Sequence, residues 1–268
     1  FQAQLDLMFR RRVEVKLDMT SMTADEAQTT ILAALATGFT ELKLTGELSN
    51  IGMGGNWGTF INNKKITKCD LTGVTGWGRT PTLPELAFMN CTALQEVTLP
   101  DDVRVIGSSA FFGCAALTTV NLSQVTWINL NAFYECTSLE MLILDNVTEI
   151  GREVFYGCTS LKTLKIPKCT RFGNYIVTGC KALTRIEATA TGDFLDIIGN
   201  SSIENYAVFH NRDTHSGENA FAPARCDLVL NTDKQEDGTA VPKVSGNNRW
   251  TLAANASPMM WKNITFRQ

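Results

Sequence analysis

The chain has 268 residues, of which 44% are hydrophobic and 19% charged, and its formal net charge is −3. This apolar content is sufficient for a sizeable core. The small negative charge argues against a nucleic-acid-binding surface and against membrane association driven by charge. No apolar run reaches the roughly 18 residues that a membrane-spanning helix requires.

The first 38 residues predict an N-terminal cap that contains a helix. Alternating residues at 13–17 predict a strand. Thr23 and Glu26 then form a capping box, apolar residues follow on one helical face, and Gly38 ends the helix. The chain starts at Phe1 without an initiator Met or a signal peptide, and we interpret it as a chain from which a leader has been trimmed.

Two irregular units follow, in which short strand patterns are separated by insertions. The patterns are Phe39-x-x-Leu42-x-Leu44 and Ile66-x-x-Cys69-x-Leu71. The glycine-rich segment 52–58 between them lacks the spacing and the Gly-Lys-Ser/Thr ending of a phosphate-binding loop, so we interpret it as a flexible insertion.

A repeat with a period of 22 or 23 residues then dominates the sequence. The same three residue types recur in register, namely Cys91, Cys114, Cys136, Cys158 and Cys180; Phe88, Phe111, Phe133 and Phe155; and Leu94, Leu117, Leu139, Leu161 and Leu183. A period in the low twenties with an L-x-x-[LV]-x-L core is typical of a leucine-rich-repeat solenoid. We therefore predict an α/β fold, a right-handed solenoid of about seven coils over residues 39–190, with parallel strands near 94–99, 117–122, 139–144, 161–166 and 183–187.

Each coil carries a second apolar pair after its strand, for example Val125 with Ile128. Gly107, Gly151 and Gly173 follow three of these pairs, and Asn129 takes the same place in another. We predict a backbone corner at these positions, because Gly and Asn tolerate positive φ.

The repeat resembles the BspA-type leucine-rich repeat of bacterial surface proteins. The resemblance is specific over residues 86–187, where units such as Ala132-Phe133-Tyr134-Glu135-Cys136 recur, and it extends plausibly back to residue 39. It departs in the last unit, where Ile176-Val177 replaces Ala-Phe. It implies an exported or surface-attached binding protein and brings no catalytic residues with it.

Residues 191–268 predict a C-terminal cap and tail within one elongated domain. Cys226–Leu230 and Ile264–Phe266 have strand patterns, and the polar residues between them indicate an exposed loop. His210 and His215 are the only histidines. They could serve as metal ligands, but a polar loop is the simpler interpretation, and we predict no metal site.

The repeated cysteines predict buried free thiols. Residues in register on adjacent coils point the same way at the spacing of neighbouring strands, about 4.8 Å or a little more. A disulfide requires Cβ atoms about 3.8 Å apart and turned towards each other. Buried free Cys instead behaves as a small hydrophobic residue.

Binding would use the outward strand positions, which vary from coil to coil. Most of them are polar or charged, but Met141 and Ile143 place two apolar side chains on one strand, beside Thr163 and Lys165 on the next. Trp127 occupies a position beyond the strand where other coils have Val, Glu or Arg. These five residues are the candidate partner-binding residues, and idle surface is the alternative.

No catalytic motif stands out, so we predict a binding protein that is not an enzyme and has no cofactor. The expected function is an exported or cell-surface module, adhesin-like or a scaffold, that binds a protein or an extracellular-matrix ligand. The alternative is a glycan-binding accessory surface protein, which clustered exposed aromatic residues would favour.

Overall fold

The computed structural model describes residues 14–52, 58–189, 225–231 and 263–267. Ten strands in these ranges lie on one side of the molecule, which we call the front: β1 (Glu14–Asp18), β2 (Glu41–Glu47), β3 (Lys68–Thr75), β5 (Glu96–Thr98), β7 (Thr119–Val120), β9 (Met141–Ile143), β11 (Thr163–Ile166), β13 (Arg185–Thr189), β14 (Asp227–Asn231) and β15 (Asn263–Arg267). Five two-residue strands form a back sheet: β4 (Thr82–Leu83), β6 (Val105–Ile106), β8 (Trp127–Ile128), β10 (Glu149–Ile150) and β12 (Arg171–Phe172). The helices in the same ranges are α1 (Ala24–Ala36) and α2 (Leu48–Ile51).

Every strand pair in the described residues is parallel, which confirms the predicted solenoid. The front strands form two sheets, β1-β2-β3-β5-β7 and β9-β11-β13-β14-β15, and the back sheet runs β4-β6-β8-β10-β12. Seven front strands begin between residues 39 and 190, as the repeat count predicts. The right-handed sense of the coil stays a prediction.

The core is a stack of identical layers. Phe60, Phe88, Phe111, Phe133 and Phe155 are fully buried, and their ring centroids are 5.1–6.0 Å apart from one coil to the next. The repeated Leu and Cys residues are buried around them. Because each Phe covers the ring of its neighbour, one coil cannot bury its apolar face without the next.

The front strands are shorter than predicted and begin later. The repeated Leu residues lie in the turn before each strand, where the amide of Leu117, for example, donates to the carbonyl of Cys114. These Leu side chains are buried, so the apolar pattern is a pattern of burial that extends beyond the strand.

The predicted corner at Gly107, Gly151 and Gly173 is wrong in its conformation. None of these glycines has a positive φ. A Cβ atom at Gly151 would lie 2.6 Å from the amide nitrogen of Leu130, so the residue must be small because the backbone of the previous coil is too close. Positive φ occurs instead two residues later and directly before each repeated Cys, for example 55° at both Asn131 and Glu135.

Helix α1 connects the parallel strands β1 and β2. Its capping box forms as predicted, because the amide of Glu26 donates to Thr23 Oγ1 and the amide of Thr23 donates to Glu26 Oε2. Ala27, Ile31 and Leu35 are the buried face of the helix. Within the described ranges, neither helix has the length and hydropathy needed to cross a membrane.

Candidate functional site

The front of the solenoid is interrupted between β7 and β9. At the other steps from β2 to β13, the amide that starts one front strand donates to a carbonyl of the coil before, as Thr119 does to Gln95 at 3.1 Å and Thr163 to Glu140 at 3.4 Å. Across the described residues of β7 and β9, no backbone hydrogen bond takes this place, and the two strands belong to different sheets. We call this interruption the seam.

The seam opens the front only. In the back sheet, β8 pairs with both β6 and β10, so the backbone hydrogen bonds continue behind it. The seam follows a change in coil length. Successive front strands begin 27 or 28 residues apart from β1 to β5, and 22 or 23 apart from β5 to β13.

The side chain of Asn121 ties β7 to the earlier coils. Its Nδ2 donates to the carbonyl of Leu99 at 2.8 Å, and its Oδ1 accepts from the amide of Leu99 at 2.6 Å. These two bonds anchor β7 on the side away from β9.

A cleft of about 210 Å³ lies in the seam. Its lining residues come from both strands and from the core beneath: Thr118, Thr119, Val120, Leu122, Phe133, Leu139, Met141, Leu142 and Ile143. Met141 and Ile143 are 59% and 48% exposed. The two residues that the sequence predicted to be exposed and apolar therefore lie at a cleft with an apolar floor.

The structure brings four of the predicted site residues together. In the register of β9 and β11, Met141 lies opposite Thr163 and Ile143 opposite Lys165. Lys165 is not a free charge, because its Nζ lies 2.9 Å from Asp145 Oδ1. The residues of β7 on the other side of the cleft were missed, since no sequence signal marks a lost strand pairing.

Charged residues around the seam pair with each other. On the N-terminal side, Lys68 lies between Glu41 and Glu96, at 3.8 and 3.7 Å. On the C-terminal side, Lys162 lies 2.8 Å from Glu140. The outward positions of β7 and β9 hold only neutral side chains, so the centre of the front surface is uncharged.

Trp127 lies on the back sheet, and therefore on a different sheet from Met141. It is 40% exposed and lies in register with Val105 on one side and Glu149 on the other. Glu149 Oε2 accepts a hydrogen bond from Arg171 at 3.0 Å. The indole thus stands at the end of an apolar and ion-paired row, as a separate candidate site.

The repeated cysteines form a ladder of hydrogen bonds that sequence reasoning missed. Each thiol donates to the carbonyl of the aromatic residue one coil earlier, with Sγ–O distances of 2.9–3.1 Å for Cys91, Cys114, Cys136, Cys158 and Cys180. Burial raises the pKa of Cys91 and of Cys158 to about 12. All eight cysteines are buried and free, which confirms the predicted thiols and excludes a reactive role for them in the folded chain.

The comparison with known families agrees with this geometry. Residues 59–191 match the BspA type leucine rich repeat region, with six copies of the repeat. The repeat region of this chain belongs to the BspA-type leucine-rich repeat family. No curated protein matches the chain.

Solved structures similar to this BspA-type chain come from several bacteria. A leucine-rich repeat protein of T. pallidum is 23% identical over 55% of this chain, with a TM-score of 0.39. A leucine-rich cell surface protein of Faecalibacterium prausnitzii is 23% identical over 56%, with a TM-score of 0.34. The pneumococcal vaccine antigen PcpA is 15% identical over 86%, with a TM-score of 0.47. The chain spans 58%, 39% and 51% of these three proteins, respectively.

The BspA-type coils also carry a second aromatic ladder outside the core. The rings of Phe112, Tyr134 and Tyr156 are half-buried and stack face to face, with centroids 4.6 and 4.5 Å apart. Burial raises the pKa of Tyr134 to about 12. Because each ring covers the next, the ladder presents ring edges to solvent and offers little ring face for stacking on a sugar.

The remaining predicted candidates contribute no site in the described part of the chain. Trp77 is buried and its indole N–H donates to the carbonyl of Val74 at 2.7 Å, so it is a packing residue. His210, His215 and Trp57 lie outside the described residues. Among the residues that are described, no group of three His, Cys, Asp or Glu could hold a metal ion.

Proposed function

We propose that this protein is an exported or cell-surface module that binds a protein or an extracellular-matrix ligand, as an adhesin or a scaffold. The family membership supports the kind of protein, since the repeats resemble those of bacterial surface proteins. The architecture supports the activity, because stacked coils present an extended surface of variable side chains on an invariant core.

The observation that carries the proposal is the exposure of Met141 and Ile143 beside the cleft. Both are large apolar side chains on a strand of the front, and they lie next to Thr163 and the ion-paired Lys165. A small apolar centre with a polar border is the usual composition of a protein–protein interface. We therefore assign the partner-binding surface to these four residues.

Binding, not catalysis, is the activity that this arrangement supports. The described thiols and the repeated Phe and Leu residues of each coil are committed to packing. The charged side chains around the cleft form ion pairs with each other, and none of them points with a second acid or base at a common reacting position.

The proposal is tested by screening the purified chain against arrays of surface proteins and matrix proteins. Once a partner is found, the double variant Met141→Asp/Ile143→Asp is expected to weaken binding at least tenfold, or about 1.4 kcal/mol. Its far-ultraviolet circular dichroism should match that of the parent. Unchanged affinity in the folded double variant would place the site elsewhere.

A matched control introduces the same two charges at other exposed apolar positions. Leu32 and Leu130 are each 43% exposed, on α1 and after β8 respectively. The variant Leu32→Asp/Leu130→Asp should bind the partner like the parent. Equal losses in both double variants would show that added negative charge, and not the front surface, weakens binding.

A second candidate function is glycan binding, and Trp127 is the observation that favours it. This indole is 40% exposed and could stack on a sugar ring. A glycan array probed with the parent and with Trp127→Ala separates the two functions. Glycan binding that depends on Trp127 and not on Met141 would replace our first proposal.

We also propose the division into an N-terminal cap with a helix at 1–38, a solenoid at 39–190, and a C-terminal cap and tail at 191–268. The buried face of α1 supports the first cap. Strand β1 and strands β14 and β15 pair with the front sheets, so the caps would be built directly on the stack.

A further inference from the structure

The exposed residues at the seam also present an unpaired strand edge. We propose that the partner contributes an extended, uncharged segment that pairs its backbone with the free edge of β9 and places one apolar side chain in the cleft. This inference rests on the proposed function and names the chemistry of the partner at that same surface.

The register of β9 and β11 identifies which backbone groups are free. The carbonyl of Glu140 accepts from Thr163, and the amide of Leu144 donates to Lys165, so the groups of the even-numbered residues face β11. In a parallel pair, alternate residues direct their N–H and C=O groups to opposite edges. The N–H and C=O groups of Met141 and Ile143 therefore face the seam.

These groups lack the partners that their equivalents have in other coils. At β7, the amide of Thr119 donates to Gln95, whereas in the described residues no backbone bond joins the amide of Met141 to Thr118. An unpaired strand edge is a template for an added strand, because main-chain hydrogen bonds supply affinity for any extended segment. The same two residues thus offer free backbone groups and exposed apolar side chains.

Opening the seam for a strand breaks no backbone hydrogen bond on the front. An inserted strand requires about 9.6 Å between β7 and β9, which is twice the ordinary strand spacing. The back sheet is continuous through β6, β8 and β10 and would act as the hinge. At every other step from β2 to β13, the same insertion would first have to break paired strands.

The chemistry of the cleft selects an uncharged segment. Its floor is formed by Phe133, Leu139 and Leu142, which are buried and apolar, so an inward side chain of the segment must be apolar as well. Outward side chains at alternate positions would lie beside Met141 and Ile143. The nearest charges, Lys165 with Asp145 and Lys162 with Glu140, already neutralise each other and provide no counter-charge.

The test uses a displayed library of random seven-residue peptides, selected on the immobilised whole chain. Enriched peptides should be uncharged, with apolar residues at alternate positions. The best one is synthesised together with a version whose alternate amides are N-methylated. We expect at least tenfold weaker binding for the methylated peptide that cannot donate to the seam, and little change when the other set of amides is methylated.

Hydrogen exchange of the chain then locates the pairing. Without peptide, the amides of Met141 and Ile143 should exchange much faster than the amide of Lys165, which occupies the same position as Ile143 one coil later. With peptide, the exchange of the amides of Met141 and Ile143 should slow at least tenfold, and that of the back-sheet amide of Trp127 should not change.

Proline substitutions provide a matched pair of variants. Ile143→Pro removes an amide that faces the open edge, so it should leave the melting temperature within a few degrees and weaken the peptide at least tenfold. Lys165→Pro removes an amide that faces β9 inside the sheet, and it should lower the melting temperature clearly more.

Two results would overturn the inference. One is a library that yields no peptide competing with Met141→Asp/Ile143→Asp-sensitive partner binding. The other is a bound peptide that leaves the exchange of the Met141 and Ile143 amides unchanged. The proposed function fails separately, if the aspartate double variant binds the array partner as tightly as the parent.

Discussion

The thiol of Cys136 donates a hydrogen bond to the carbonyl oxygen of Phe111, one coil earlier, at an Sγ–O distance of 3.1 Å. The same carbonyl also accepts from the amide of Cys114. Cys136 therefore fills a small apolar space and supplies a donor to a carbonyl that is buried away from water. A residue of similar size without a donor, such as Ala, meets only part of the first need, which explains why the position repeats as Cys.

We expect none of the eight thiols to react in the native protein. All eight are buried, and a thiol hidden in apolar surroundings holds its proton and excludes reagents. Titration with a thiol-specific chromogenic reagent should give close to no reaction in buffer and eight equivalents in denaturant. Fast reaction of a repeated cysteine in buffer, or a disulfide within the set found by mass spectrometry, would contradict the ladder.

Stability should fall as the pH rises above about 8.5. In the unfolded chain a thiol ionises near pH 8.5, whereas in the folded chain burial raises the pKa of Cys91, Cys158 and Cys169 to about 12. Because the folded pKa is raised, the stabilising contribution is complete below pH 8.5 and is lost between there and about pH 12. Each such thiol lowers the free energy of unfolding by about 1.4 kcal/mol per pH unit in this window.

Urea denaturation at pH 7.5, 8.5 and 9.5 measures this slope. Cys158→Ala provides the control, since it should reduce the slope by the share of one thiol whatever it does to the stability at pH 7.5. A free energy of unfolding that stays constant up to pH 9.5 would show that the thiols are not protected by the fold.

Phe133→Ala should destabilise the protein by about 3–5 kcal/mol, as expected for the truncation of a buried aromatic residue. Its ring is fully buried between those of Phe111 and Phe155, at 5.1 and 6.0 Å. Phe112→Ala, in the half-buried outer ladder, is the matched control and should cost less than half as much. Equal midpoints of urea denaturation for the two variants would place Phe133 outside the energetic core.

Glu135→Gly should stabilise the protein by about 0.5–1 kcal/mol. Glu135 has a φ of 55°, and the equivalent residues of other coils are Gly113, Gly157 and Gly179, with φ of 69°, 70° and 77°. A non-glycine residue in this region costs roughly 1–2 kcal/mol, and the entropy of glycine offsets roughly 0.5–1 of the gain. The reverse change, Gly157→Ala, should destabilise by a similar amount in the same denaturation assay. A loss of stability in Glu135→Gly would show that the glutamate makes a compensating contact.

The period of 22 residues was sufficient to predict the parallel stack, the seven coils, the aromatic core and the free thiols. A solenoid repeats one local solution, so each Cys, Phe or Leu in register meets its equivalent in the next coil, and the sequence of one coil predicts the packing of all. The outward exposure of Met141 and Ile143 followed from the same register, because side chains alternate along a strand.

Only the tertiary structure decided where the stack opens and which glycines bend. The lost pairing of β7 with β9 depends on how whole coils of different length sit on one another, and the residues on its two sides look like ordinary repeat residues in the sequence. The small size of Gly151 is required by the backbone of the previous coil, whereas positive φ falls on Asn131 and Glu135, residues with no sequence signature for it. Local preference is legible along the chain, but the approach of one backbone to another is a property of the packed coils.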